Sequence, residues 1–123
     1  MHEELIQITE RLLHYISSGD WDGYTRLCDP SLTAFEPEAC GHLVEGMDFH
    51  KFYFELKQDD PVQTTLVQPH VRLLGEDVAI VSYNRLIQTL DADGKPKSIC
   101  TEETRIWQKQ SGQWKHVHFH RSG

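Results

Sequence analysis

Cysteine is scarce in this sequence, and the three present, Cys28, Cys40 and Cys100, form an odd, unpatterned set. No CxxC pair occurs, which removes zinc-ribbon and dithiol-redox readings. Free thiols in a reducing, cytoplasmic compartment fit better than a disulfide framework. Basic residues are also in deficit: 12 Lys and Arg against 19 Asp and Glu leave a formal net charge of −7. That balance argues against nucleic acid or an anionic membrane as partner. No apolar run approaches the roughly 20 residues that cross a bilayer. The N-terminus has no basic–apolar–small leader pattern. GxSxG, Walker, dinucleotide-glycine and HExxH motifs are missing, as are the kinase glycine loop, HRD and DFG; MDFH at 47–50 lacks the glycine. No cofactor is expected.

What is present is one domain spanning 1–123, with 38% hydrophobic and 25% charged residues. Leu5, Ile8, Leu12, Tyr15 and Ile16 recur at helical spacing, with Gly19 as a stop. Asp20 is placed to cap a short helix, WDGYTRLC, ending before Asp29-Pro30. Short strands are expected around LTAFEP and HLVEG, then a helix over MDFHKFYFELK with an aromatic flank. KQDDP, closed by Pro61, reads as a turn. Four strand-like runs follow: TTLVQPHVRLLG, DVAIVSYNRLIQTL, KSICTEETRIWQ and QWKHVHFHR. Pro69 predicts an edge or a bulge in the first of them. Short turns at 75–77, DADGKP and 110–112 predict antiparallel neighbours throughout. The layout is α+β: a strongly curved antiparallel sheet wrapped around a long helix, leaving a conical cavity.

Three arginines break the apolar patterning of these strands. Arg85 shares the period-two face of Ala79, Val81, Tyr83 and Ile87; Arg105 that of Ile99 and Trp107; Arg121 that of Val117 and Phe119. Arginine cannot discharge by losing its proton, and burying it unpaired costs several kcal/mol. One such arginine would be read as snorkelling from a sheet edge. Three imply a hydrated cavity, internal acidic partners or an anionic guest. A hairpin tip near DADG sets Arg85 roughly opposite Glu103, and the SerGly turn sets Arg105 roughly opposite Val117. Glu103 is then an internal counter-ion, and the cavity stays net positive unless Glu36 or Glu38 also reaches it. His50, Tyr24 and Tyr83 are further candidates for the cavity wall.

Strict alternation puts His116, His118 and His120 on the opposite, outer face. His-x-His is a zinc-ligand spacing, but a stripe pointing away from the cavity reads better as a contact surface than as a metal site. Assembly through it should weaken as pH falls past the usual histidine range near 6.5. An acid–base enzyme in the cone is the alternative reading, and it needs a carboxylate or histidine base facing the cavity.

CDPSLTAFEPEA, LVEGMDFHKFYFE, TEETRIW and VHFHRSG closely resemble the association, or hub, domain of calcium/calmodulin-dependent protein kinase II, and the likeness runs from Glu3 to Gly123. The resemblance implies a nuclear-transport-factor-2-like cone. It implies a non-catalytic domain that self-associates, through dimers, into two-layered rings of the dodecamer or tetradecamer class, clustering kinase domains. It assigns the pocket arginines to Arg85, Arg105 and Arg121, the pocket histidine to His50 and the pocket tyrosine to Tyr24. It associates that pocket with small carboxylates and with the kinase regulatory segment. Calmodulin is expected only through a parent kinase; an excised domain and a free-standing hub both fit. After FYFE the animal domains carry a longer loop with a tryptophan, whereas this chain has only LKQDD before Pro61.

Overall fold

The structure, a computed structural model, describes residues 2–56 and 62–123. The KQDDP turn and nearly all of the shortened LKQDD loop lie outside the described residues. Helix α1 (His2–Ser18) is followed by α2 (Trp21–Leu27), strand β1 (Cys28–Phe35), a single 3-10 turn (Pro37–Ala39), β2 (Val44–Glu45) and α3 (Asp48–Glu55). The long strands β3 (Gln63–Leu73), β4 (Val78–Leu90), β5 (Pro96–Gln110) and β6 (Gln113–Ser122) complete one curved, unclosed sheet in the order β2-β1-β6-β5-β4-β3.

Local chemistry sets the entry to the cone. Gly19 adopts φ 72°, Gly19 N–H bonds Ile16 O, and Asp20 N–H bonds Tyr15 O at 2.9 Å. This is a Schellman stop for α1. Asp20 then caps α2 by accepting from Gly23 N at 2.9 Å. A Cβ on Gly23 would lie 2.6 Å from the Tyr15 ring, so the two helices approach this closely only over glycine.

Helix α1 spans about 25 Å at 1.5 Å per residue and lies against β3 and β4. Leu5, Thr9, Leu12 and Leu13 are its buried face. Thr9 sits among leucines because its hydroxyl donates to Leu5 O at 2.8 Å and accepts from Trp107 Nε1 at 3.1 Å. That bond ties the helix to the C-terminal part of β5. With Leu32, Ala34, Ala79, Val81, Trp107 and Phe119 the helix forms a single core.

The sheet departs from the sequence reading in three ways. Strand β1 pairs parallel with β6, so the antiparallel arrangement holds for β3 to β6 and for β1 with β2 but not across that seam. The Asp91–Lys95 loop is closed by Asp91 Oδ1, which accepts from Asp93 N and Lys95 N, both at 2.9 Å. Arg85 therefore pairs with Thr101 and Tyr83 with Glu103, a two-residue offset that keeps every face unchanged. In the last hairpin Ser111 and Gly112 adopt φ 51° and 79°, the left-handed pair of a type I′ turn. The turn sets Trp107 opposite His116, but Ile106 faces His118, leaving Val117 as a bulge. Pro69 also sits at a bulge: the β3–β4 register shifts between Val67 and His70, and β3 is an edge strand.

The bulge at Val117 corrects the histidine stripe. Before it, Trp114 and His116 point into the cone; after it, Phe119 and Arg121 do. His116 is fully buried, and only His118 and His120 remain on the outer face. The aromatic flank of α3 is also less inward than expected, since Phe52 and Tyr53 are exposed and His50 alone is buried on that helix.

Candidate functional site: a two-layered ionic cavity

Under α3 and the concave sheet lies a cavity of about 320 Å³, walled by Tyr24, His50, Phe54 and Phe119 and by the charged side chains of Glu36, Arg85, Arg105 and Arg121. Each cavity residue expected from the sequence is found on its wall or directly behind it. Tyr24 comes from α2, His50 from α3, Tyr83 and Arg85 from β4, Glu103 and Arg105 from β5, and Arg121 from β6.

The deep layer is centred on Glu103. Its carboxylate accepts from Tyr83 Oη at 2.7 Å, Thr101 Oγ1 at 2.9 Å, Arg105 Nη2 at 2.9 Å and Arg85 Nη1 at 3.2 Å. Burial alone would raise the Glu103 carboxyl, but Arg105 and Arg85 outweigh it with the Tyr83 bond and hold it down at about 2. Burial opposes charge on Arg105 too, yet Tyr83 and Glu103 more than offset it and its pKa is raised. Burial is the main influence on Arg85, which is lowered despite Glu103.

Arg105 has a partner for each nitrogen: Nε donates to Tyr83 Oη at 2.8 Å, Nη2 to Glu103, and Nη1 to His116 Nε2 at 3.3 Å. Its Cζ lies 4.6 Å from the Phe119 ring centroid. Burial first, then the charge on Arg105, lowers the His116 pKa well below the ordinary histidine value. A neutral His116 accepting at Nε2 carries its proton on Nδ1, which lies 3.6 Å from Cys28 Sγ. Burial pushes the Cys28 thiol up to about 12, so it stays protonated. His116 is thus a strut beneath the cavity rather than part of a contact surface.

The outer layer is looser. Glu36, at the end of β1, lies 3.4 Å from His50 Nδ1 and 3.7 Å from Arg121 Nη2. Glu38, on the adjoining turn, also pairs with Arg121. Three carboxylates, Glu36, Glu38 and Glu103, therefore meet the three arginines. The cavity has no net positive charge in formal terms, because the acidic pair at 36 and 38 does reach it. Polar satisfaction is incomplete at this level: Arg85 Nε, His50 Nε2 and Glu36 Oε1 are buried without a hydrogen bond among the described residues.

Reading faces from the sequence missed Thr101 and His116. Thr101 had a signal, since it shares the period-two face of Glu103. His116 had one too: Trp114 lies on the same parity, and a type I′ turn at Ser111-Gly112 places both opposite the inward side of β5.

The comparisons with known proteins agree with this architecture. A profile of the calcium/calmodulin dependent protein kinase II association domain matches residues 1–123. The rabbit (Oryctolagus cuniculus) calcium/calmodulin-dependent protein kinase type II subunit delta is 54% identical over 98% of the chain, which spans only 23% of that relative. The association domain of the C. elegans kinase superposes with a TM-score of 0.95 at 45% identity, covering 98% of this chain and 94% of that one. A Salmonella enterica protein of the nuclear transport factor 2-like superfamily shares the fold at a TM-score of 0.76 and 18% identity, covering 99% of this chain and 89% of that one. With the cone and its ionic core in place, this chain belongs to the calcium/calmodulin-dependent protein kinase II association domain family.

Proposed function

We propose that this chain is a non-catalytic assembly domain that self-associates into a two-layered ring of the dodecamer or tetradecamer class. In a parent kinase such a ring clusters the catalytic domains; calmodulin is a partner only through that kinase, and the setting is cytoplasmic. The whole-length match to association domains carries this reading. Large apolar side chains left exposed on the protomer support it: Leu43, Phe52, Leu56 and Leu74, and Phe35, whose ring centroid lies 5.6 Å from that of His120. His118 and His120 belong to this outer surface. The test is molar mass by light scattering. A species many times 14.3 kDa is expected; a monomer or dimer would remove the assembly role.

The cavity is the second part of the proposal: a site for a small carboxylate or an acidic end of the kinase regulatory segment. Arg85 Nε and His50 Nε2, buried without a hydrogen bond among the described residues, favour it, since both side chains line the cavity. Arg105 is occupied on every nitrogen, so Arg85, Arg121 and His50 are the guest-facing groups. Benzoate is a suitable probe, because Tyr24, Phe54 and Phe119 supply aromatic walls. Calorimetry should show benzoate binding to wild type and none to Arg85→Gln; equal affinities would refute the site. Glu36 and His50 also supply the base that an isomerase- or cyclase-like enzyme would need. A small oligomer in light scattering would turn the proposal toward that alternative.

A further inference from the structure

We propose that Glu36 is the cavity's internal occupant, and that a carboxylate guest enters by exchange: it takes Arg121 and His50 from Glu36, whose side chain swings out. The inference rests on the carboxylate-site reading and adds the residue that sets its affinity.

The two acidic groups inside the cone differ in how they are held. Glu103 accepts four hydrogen bonds of 3.2 Å or less. Glu36 has contacts of 3.4 and 3.7 Å, and its Oε1 has no hydrogen bond. The position of Glu36 has the electrostatics of an anion site, with a guanidinium and an imidazole converging on one carboxylate, but not the geometry of a finished one.

The Glu36 side chain is lightly held. Glu36 precedes the 3-10 turn and makes no side-chain capping bond there. Most of residues 37–43 are exposed, and Gly41 has no neighbour within 4 Å of a notional Cβ. Outward rotation of the Glu36 side chain beside this exposed turn unpacks little of the core.

A guest carboxylate in the same place also meets what Glu36 does not satisfy. Arg85 Nε and His50 Nε2 are both on side chains at least nine-tenths buried, and among the described residues both lack a hydrogen-bond partner. One planar carboxylate with a short apolar body can pair with Arg121 and reach one of these donors, and the cavity's volume of about 320 Å³ suits a body of that size. Exchange of the Glu36 side chain for one guest carboxylate leaves the formal charge inside the cone the same before and after, and Arg121 keeps Glu38 as a partner throughout. The competing carboxylate lowers the apparent affinity of every anion and screens out weak ones. This is the population cost of a site whose competent state is a minor one.

The experiment is benzoate titration by calorimetry on the assembled protein, comparing wild type with Glu36→Gln, Glu36→Ala, Glu36→Asp and Arg85→Gln. Glu36→Gln and Glu36→Ala should each bind benzoate at least 5-fold more tightly, and Glu36→Asp should bind like wild type. Benzamide, which lacks the charge, should gain nothing. Unchanged or weaker affinity in both Gln and Ala variants, with wild type binding and Arg85→Gln silent, would overturn the exchange and leave the site standing. Absence of benzoate binding in wild type and in both variants would overturn the exchange and the site together.

Discussion

Two carboxylate–arginine clusters share one cone, and they are built to different standards. Around Glu103 every acceptor position is filled, distances are short and the partners come from adjacent residues of two paired strands. Around Glu36 the contacts are long, one oxygen has no hydrogen bond among the described residues, and the partners come from two separate elements, α3 and β6. A buried ion pair repays its desolvation only when geometry is good and the remaining valences are satisfied. The first cluster meets that condition and belongs to the fold. The second does not, and that incompleteness is what the proposed carboxylate site rests on. Opposite charges in a cavity are therefore not one feature; the completeness of their hydrogen bonding separates structure from site.

The largest expected effect lies in the deep layer. Arg105→Ala would leave Glu103 without its closest cation, strip the face of Phe119 and open a cavity. A loss of about 3–5 kcal/mol is expected in urea unfolding. A loss below about 1 kcal/mol would erase the distinction between the layers. Thr9→Val comes next. It strands the Trp107 N–H inside the core, and about 1–3 kcal/mol should be lost without change in oligomer mass.

The pH dependence sharpens the same contrast, with a sign that follows from the depressed groups. Glu103 has a folded pKa of about 2 against an ordinary carboxyl value of 4.5, so its contribution is complete above 4.5 and disappears as pH falls through 2. His116 is lowered as well, facing Arg105 on β5, Cys28 on β1 and His50 on α3, with His118 two residues on. The unfolded chain binds a proton at this residue first, so stability should begin to fall as pH drops below 6.5. Thermal melts from pH 8 to pH 5 should show that decline in wild type and a flatter profile in His116→Gln. A wild-type profile flat from 8 to 5 would contradict the neutral strut.

Much of this was legible in the chain, for physical reasons. Period-two patterning placed Arg85, Glu103 and Arg105 on one face, and a two-residue error in register left that intact, because even shifts preserve faces. Asp20 and Gly19 announced the helix boundary through capping chemistry. Pro69 announced its bulge through a missing N–H. What patterning could not supply was a bulge without proline or glycine: Val117 interrupts the ladder silently, and it moves His116 from the outer face to the core. The parallel β1–β6 seam was also hidden, since it joins segments about 80 residues apart with no turn between them. Glu36 was visible only as a condition, because its position depends on an irregular turn.

Glu103 is built into the fold, whereas Glu36 is proposed to be a replaceable occupant. Urea unfolding of Glu103→Gln and Glu36→Gln, run side by side, tests this difference most directly. Glu103→Gln should lose about 3–5 kcal/mol, with two buried arginines short of charge, and Glu36→Gln about 1 kcal/mol or less. Equal losses in the two variants would contradict the account.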